Sequence, residues 1–97
     1  MKTLDEIIGN LRQMQPDLRR RYPIREMGVF GSYVRGEQTE GSDLDILVSL
    51  GEGIGLMELA GLQQDLSDAL GLRVDLVMKA SVKRRIGRRI LSEAVTL

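Results

Sequence analysis

Two aspartates one residue apart, Asp43 and Asp45, lie in the otherwise apolar stretch "DLDILV". Side chains alternate along a strand, so both carboxylates are expected on one face, with Cβ atoms roughly 6–7 Å apart. Carboxylates at that separation repel each other, and each is poorly solvated if the strand is internal. A divalent cation would remove this conflict, and Mg²⁺ favours one or two carboxylates completed by phosphate oxygens and water. The pair therefore predicts a magnesium site that also binds phosphate.

A glycine turn, Gly31-Ser32, precedes the aspartates in "FGSYVRG". A glycine that follows a strand and opens a short helix lets backbone N–H groups face an anion at the positive end of the helix dipole. The turn is not a P-loop, because Glu37 stands where that motif needs lysine. An EF-hand is also excluded, because "DLDILVSLGEGI" has no glycine at the sixth loop position and no polar ligand at the fifth. Phosphate and Mg²⁺ sites in one segment predict nucleotide chemistry of the two-metal kind.

The whole segment "FGSYVRGEQTEGSDLDILV", residues Phe30 to Val48, resembles the signature of the DNA polymerase beta-type nucleotidyltransferase superfamily. That signature is a hydrophobic residue, Gly, Gly or Ser, a spacer, and then Asp-x-Asp between apolar positions. Within the superfamily the sequence is most similar to the minimal nucleotidyltransferases, the MNT proteins of prokaryotes. The likeness continues through "VDLV" around Asp75 and the terminal "RRILSEAVTL". It implies a nucleotidyltransferase palm-like core in a single minimal domain, residues 1–97.

The resemblance also implies a role for each residue that matches the motif. Gly31 and Ser32 would bind the nucleoside triphosphate, and Asp43 and Asp45 would hold two Mg²⁺ ions. Asp75 would be the third carboxylate, a ligand of the metal that activates the attacking hydroxyl, although a solvated strand residue is the alternative. Arg35 would either contact a phosphate or pair with an acid and brace the turn. Both roles of Arg35 remain open at this point.

The implied reaction is attack of an acceptor hydroxyl on the α-phosphate of ATP, with release of pyrophosphate. Likeness to MNT proteins implies an antitoxin that transfers AMP to a tyrosine of a HEPN-domain ribonuclease toxin. Two alternatives remain: a nucleotidyltransferase that acts on RNA ends or a small molecule, and a non-catalytic antitoxin that neutralises the toxin by contact. Because the sequence ends after the catalytic core, we expect the acceptor to bring most of its own binding surface.

The elements that must position these residues follow from periodicity. An amphipathic helix begins after Thr3, which forms a capping box with Glu6, and Pro16 is expected to end or kink it. Strands are predicted over Ile24–Gly31, Asp43–Val48 and Leu72–Val77, with a short helix after Gly31. A longer helix is predicted to end at Gly71. The last helix is predicted to begin at Ser81, with Val82, Ile86, Ile90 and Ala94 on one face. This order predicts an α/β or α+β domain in which helices cover a small mixed β-sheet.

Composition narrows the chemistry further. The 97 residues have zero net charge, 3% aromatic residues, and neither cysteine nor histidine. Disulfides, thiolate–imidazole zinc sites and a histidine base are thereby excluded. No apolar run approaches the roughly 20 residues that span a bilayer, so we expect a cytoplasmic protein without membrane contact. Neutral charge and few aromatics also argue against direct nucleic-acid binding. The basic run from Lys79 to Arg89 is either a solvated helix face or a docking surface for the partner.

Overall fold

A computed structural model describes residues 2–81 and 84–97 and shows helices and strands in the predicted order. The elements are α1 (Leu4–Arg21), β1 (Ile24–Phe30), α2 (Ser32–Arg35), β2 (Leu44–Leu50), α3 (Leu56–Leu70), β3 (Val74–Met78), a 3₁₀ turn (Lys79–Ser81), α4 (Arg84–Glu93) and β4 (Val95–Thr96). The short strand β4 was not predicted. The α/β class is confirmed.

The strands form a four-stranded mixed sheet in the order β3-β2-β1-β4. Strand β2 is antiparallel to β1 and parallel to β3, and β4 is antiparallel to β1. The predicted small mixed sheet is therefore confirmed. The shared core joins one face of the sheet to α1 and α3, and its fully or almost fully buried side chains include Ile7, Leu11, Leu18, Val29, Leu44, Ile46, Val48, Leu62, Leu66 and Leu70.

Strand β2 has the two faces that alternation predicted. Leu44, Ile46 and Val48 are fully buried on the core side. Asp45 and Leu47 point to the opposite side, where Asp45 is half-buried and Leu47 is 6% exposed. A charged side chain thus lies on a strand whose other face is completely buried, as the sequence pattern required.

The predicted end of the first helix at Pro16 is wrong, because α1 continues through this residue to Arg21. The helix begins as expected, with the Thr3 side chain accepting a hydrogen bond from the backbone N–H of Glu6 at 3.3 Å. A proline inside a helix removes one backbone hydrogen bond and costs about 3 kcal/mol. Beyond Pro16, however, Leu18 is fully buried in the core. Burying such a side chain contributes about 1.5–3 kcal/mol, which offsets most of that cost.

The last helix was expected to begin at Ser81 and to use Val82 in its apolar stripe. Ser81 belongs to the 3₁₀ turn, the described part of α4 begins at Arg84, and Val82 lies outside the described residues. Across ranges 2–81 and 84–97, every helix is too short or too polar to cross a membrane.

Candidate active site

The glycine turn lies between β1 and α2 and packs directly against Asp45. Gly31 has φ 82° and ψ −153°, a conformation that side-chain-bearing residues rarely adopt. A Cβ atom added to Gly31 would lie 2.1 Å from Oδ2 of Asp45. The turn therefore needs glycine for two reasons: its backbone conformation and its close approach to a carboxylate.

Helix α2 starts immediately after this glycine. The backbone N–H groups of Val34 and Arg35 donate to the carbonyl oxygen of Gly31 at 3.0 and 3.2 Å. Tyr33 is buried and anchors α2 in the core, whereas Ser32 is half-buried at the start of the helix. The N–H groups of the first helical residues have no acceptor within their own helix. The predicted turn into a short helix is thus present, with hydrogen-bond donors at its beginning.

Two of the three aspartates lie side by side on adjacent strands. Asp45 on β2 is the register partner of Asp75 on the parallel strand β3, so their side chains share one face of the sheet. Asp43 lies just before β2, and its Oδ1 atom forms an ion pair with Nε of Arg73 at 3.0 Å. Asp43 and Asp75 are exposed and line one open hollow with Arg73. Asp45 lines a second hollow together with Phe30, Gly31, Arg35, Arg89, Ile90 and Glu93.

The electrostatic conflict expected from the sequence is present at Asp45. Partial burial raises the pKa of this carboxyl, and the neighbouring charges of Asp75 and Asp43 raise the pKa further. The positive charge of Arg35 acts in the opposite direction. Ionised Asp45 therefore lowers the stability of the fold, which is a common property of functional residues.

The carboxylates suit Mg²⁺ bound together with phosphate better than Mg²⁺ in an all-protein cage. No three acidic side chains within residues 2–81 and 84–97 converge as a ready-made metal site. Mg²⁺ commonly takes one or two carboxylates and completes its shell with substrate phosphates and water. Asp45 beside Asp75, with Asp43 two positions before Asp45 in the chain, supplies this kind of hard oxygen donor set.

Arg35 pairs with two acids, neither of which the sequence analysis named as its partner. Its Nη1 atom lies 2.8 Å from Oε1 of Glu93, and its Nε atom pairs with Glu37. The hydrogen bonds that the guanidinium donates, first to Glu37 and then to Glu93, raise its pKa. These contacts correspond to the bracing role considered for Arg35, while phosphate contact stays a prediction.

Glu93 is the residue that the sequence predictions missed. Its Oε2 atom accepts the backbone N–H of Gly31 at 3.2 Å, across 62 positions of the sequence. The hydrogen bond from Arg35 lowers the pKa of Glu93, and so does that from Gly31. One sequence signal could have found it: Glu93 ends a helix, where the helix dipole disfavours a negative charge.

Comparisons with known proteins agree with this geometry. The nucleotidyltransferase domain family matches residues 11–97. The protein adenylyltransferase MntA of Thermococcus cleftensis is 50% identical over 95 residues, which cover 98% of this chain and 96% of that protein. A solved minimal nucleotidyltransferase is 34% identical with a TM-score of 0.84, covering 99% of this chain and 97% of its own. A solved toxin–antitoxin complex with AMP-PNP contains a chain that is 26% identical with a TM-score of 0.73, covering 91% of this chain and 69% of that one. The chain therefore belongs to the nucleotidyltransferase domain family and is a nucleotidyltransferase of the minimal type.

Proposed function

We propose that the 97 residues form one catalytic domain that transfers AMP from ATP to a partner protein. The acceptor is a tyrosine hydroxyl of a HEPN-type toxin, and the protein acts as its cytoplasmic antitoxin. The single observation that carries this proposal is the contact of the Gly31 turn with Asp45, whose register partner is Asp75. The turn proposed to bind phosphate and a carboxylate proposed to bind Mg²⁺ thereby lie next to each other.

The comparisons support the nature of donor and acceptor. The Thermococcus relative is named a protein adenylyltransferase, and a structural relative was solved in a toxin–antitoxin complex with AMP-PNP. Both names agree with the likeness of the sequence to MNT antitoxins. They support ATP as the proposed substrate of this chain and a toxin protein as its proposed acceptor.

The chain's own groups would bind and orient the nucleotide. The first N–H groups of α2 and the hydroxyl of Ser32 would donate to triphosphate oxygens. Asp43, Asp45 and Asp75 would hold two Mg²⁺ ions, which would neutralise phosphate charge and favour ionisation of the acceptor hydroxyl. The protein supplies position and fixed charges, as in other phosphoryl transfers. No titrating base is needed near neutral pH, which fits a sequence without histidine.

The reaction exchanges a phosphoanhydride bond of ATP for a phosphoester bond to the acceptor. The acceptor oxygen forms a bond to the α-phosphorus, and the bond from that phosphorus to the oxygen bridging to the β-phosphate breaks. Pyrophosphate leaves, the hydroxyl proton passes to solvent, and AMP stays on the acceptor. Label on the α-phosphate of ATP therefore remains with the product, and label on the γ-phosphate does not.

The test is incubation with α-labelled ATP, Mg²⁺ and the HEPN-like protein encoded by the adjacent reading frame, with RNA offered in a parallel reaction. We expect label on the protein partner only, and none from γ-labelled ATP. Asp45→Asn should abolish labelling, whereas Asp68→Asn, the same change on the exposed side of α3, should preserve it. Label on RNA instead of protein, or no label with wild type, would contradict the proposed acceptor.

A further inference from the structure

The backbone amide of Gly31 is already hydrogen-bonded, and this bears on how the turn works. One carboxylate, that of Glu93, accepts from this amide through Oε2 and pairs with Arg35 through Oε1. The side chain of Glu93 is only 15% exposed. Glu93 thus connects the beginning and the end of α2 to the C-terminal segment of the chain.

The position of Glu93 is fixed by the C-terminal strand. Strand β4 pairs with β1 through Gly28↔Thr96 and Val29↔Val95, and the Leu97 N–H donates to the Met27 carbonyl at 3.0 Å. These contacts involve the end of the same strand, β1, that leads into the glycine turn. Glu93 and Gly31 are therefore held at the ends of two paired strands.

Because its N–H donates to Glu93, Gly31 is a poor donor for a phosphate unless the carboxylate leaves. A phosphate and a carboxylate are both anions, and they would repel each other at a single N–H group. The N–H groups of Ser32 and Tyr33, at the first helical positions, are the remaining donors of the turn. The carboxylate of Glu93 would then shape the turn without touching the nucleotide.

We propose that Glu93 is a positioning residue of the active site, which fixes the Gly31–Arg35 turn for nucleotide binding. The inference rests on the proposed function. The carboxylate orients the Gly31 peptide and holds the Arg35 guanidinium beside Asp45. Without Glu93, the acid that still pairs with Arg35 within residues 2–81 and 84–97 is Glu37, which is 61% exposed, whereas the Gly31 amide donates to Glu93.

The experiment compares Glu93→Ala, Glu93→Gln and the matched control Glu52→Gln, a change of an exposed glutamate in the loop after β2. Affinity for a non-hydrolysable ATP analogue with Mg²⁺ is measured by calorimetry, and exchange of the Gly31 amide proton by ¹⁵N NMR. We expect Glu93→Ala to weaken nucleotide binding about tenfold, the effect of losing one hydrogen bond to a charged group, and to speed exchange at Gly31. Glu93→Gln retains an oxygen acceptor for the Gly31 N–H and should recover part of both losses. Glu52→Gln should change neither.

A second variant perturbs the position of Glu93 without altering its side chain. A Cβ atom added at Gly28 would lie 3.0 Å from the carbonyl oxygen of Val95, so Gly28→Ala must displace β4 slightly. We expect this variant to weaken nucleotide binding in the same direction as Glu93→Ala, with unchanged exchange at amides of α3.

The outcomes separate the two proposals. If wild type binds the analogue and Glu93→Ala binds it equally well, the positioning role is overturned while the proposed function stands. Tighter binding by Glu93→Ala and Glu93→Gln would also overturn it, because the carboxylate would then be a competitor of phosphate. If wild type fails to bind the analogue, the proposed function fails, and the role of Glu93 in nucleotide binding fails with it. In that case, faster exchange of the Gly31 amide proton in Glu93→Ala would show only that the contacts of Glu93 with Gly31 and Arg35 stabilise the turn.

Discussion

Replacing Gly31 with alanine tests the closest contact in the site. The new Cβ atom would lie 2.1 Å from Oδ2 and 3.0 Å from Cγ of Asp45, so the carboxylate must move. The backbone conformation at Gly31, φ 82° with ψ −153°, is in addition one that alanine adopts only under strain. We therefore expect Gly31→Ala to damage both stability and nucleotide transfer.

The expected loss of stability in Gly31→Ala has a backbone part and a collision part, and a matched substitution at a second glycine separates them. Gly36 also has a positive φ, 72°, but a Cβ atom there would meet nothing within 4 Å. Gly36→Ala should thus cost only the left-handed backbone term, about 1–2 kcal/mol. Gly31→Ala carries a backbone cost of about 1–3 kcal/mol and, in addition, about 1–3 kcal/mol for forcing Asp45 aside. For a chain of this size each kcal/mol lowers Tm by about 4–8 °C.

The assay is a double-mutant cycle on thermal or denaturant unfolding. Asp45→Ala removes the atoms that collide, so Gly31→Ala should be less destabilising in that background by about 1–2 kcal/mol. Transfer of AMP should be lost in Gly31→Ala and retained in Gly36→Ala. Additive effects of the two substitutions within about 0.5 kcal/mol, or full activity in Gly31→Ala, would refute the placement of the turn against Asp45.

Three further predictions concern charge. Asp45→Asn should leave the metal-free protein as stable as wild type or more stable, because it removes repulsion by Asp75 and Asp43. The same variant should lose the stabilisation that Mg²⁺ and ATP give to wild type. The pKa of Asp45 is raised in the folded protein. The protonated carboxyl therefore contributes to the free energy of unfolding in full below the ordinary aspartate pKa of about 4, and this contribution is lost as pH rises through the folded pKa. The stability gained by Asp45→Asn should therefore grow from about pH 4 to pH 7 in denaturant titrations, and a constant difference would contradict the origin given for the shift. Arg88→Glu, on the exposed surface of α4, should slow association with the partner at low salt, whereas Arg12→Glu on α1 should not. Equal association rates and equal salt dependence for Arg88→Glu and wild type would show that the basic run is a solvated helix face.

The sequence was sufficient for the parts of the site that depend on local periodicity. Alternation along "DLDILV" put Asp45 opposite Leu44 and Ile46, and the structure has that arrangement. Glycine after a strand predicted the turn into α2, since the required backbone conformation is local. The role of Asp75 came from family resemblance, and the parallel register of β2 and β3 then placed it beside Asp45.

Features that depend on distant packing could not be predicted. Glu93 contacts Gly31 across 62 positions because the two-residue strand β4 pairs with β1, and so short a strand has no periodicity to detect. Pro16 was expected to end or kink α1, but the helix continues through it to Arg21, and burial of Leu18 offsets most of the cost of the proline. Lys79 counted toward the basic run, yet its ammonium pairs with Glu26 at 2.8 Å, which reduces the charge available to a partner.

Mass spectrometry of the partner protein tests the central claim most directly. After incubation with wild-type protein, ATP and Mg²⁺, the account predicts AMP on a tyrosine of the HEPN-type toxin, with one pyrophosphate released for each group transferred. Asp45→Asn should give neither product while still binding the partner. A toxin that is neutralised by wild type yet carries no AMP would contradict the catalytic account and would make this protein an antitoxin that acts by contact alone.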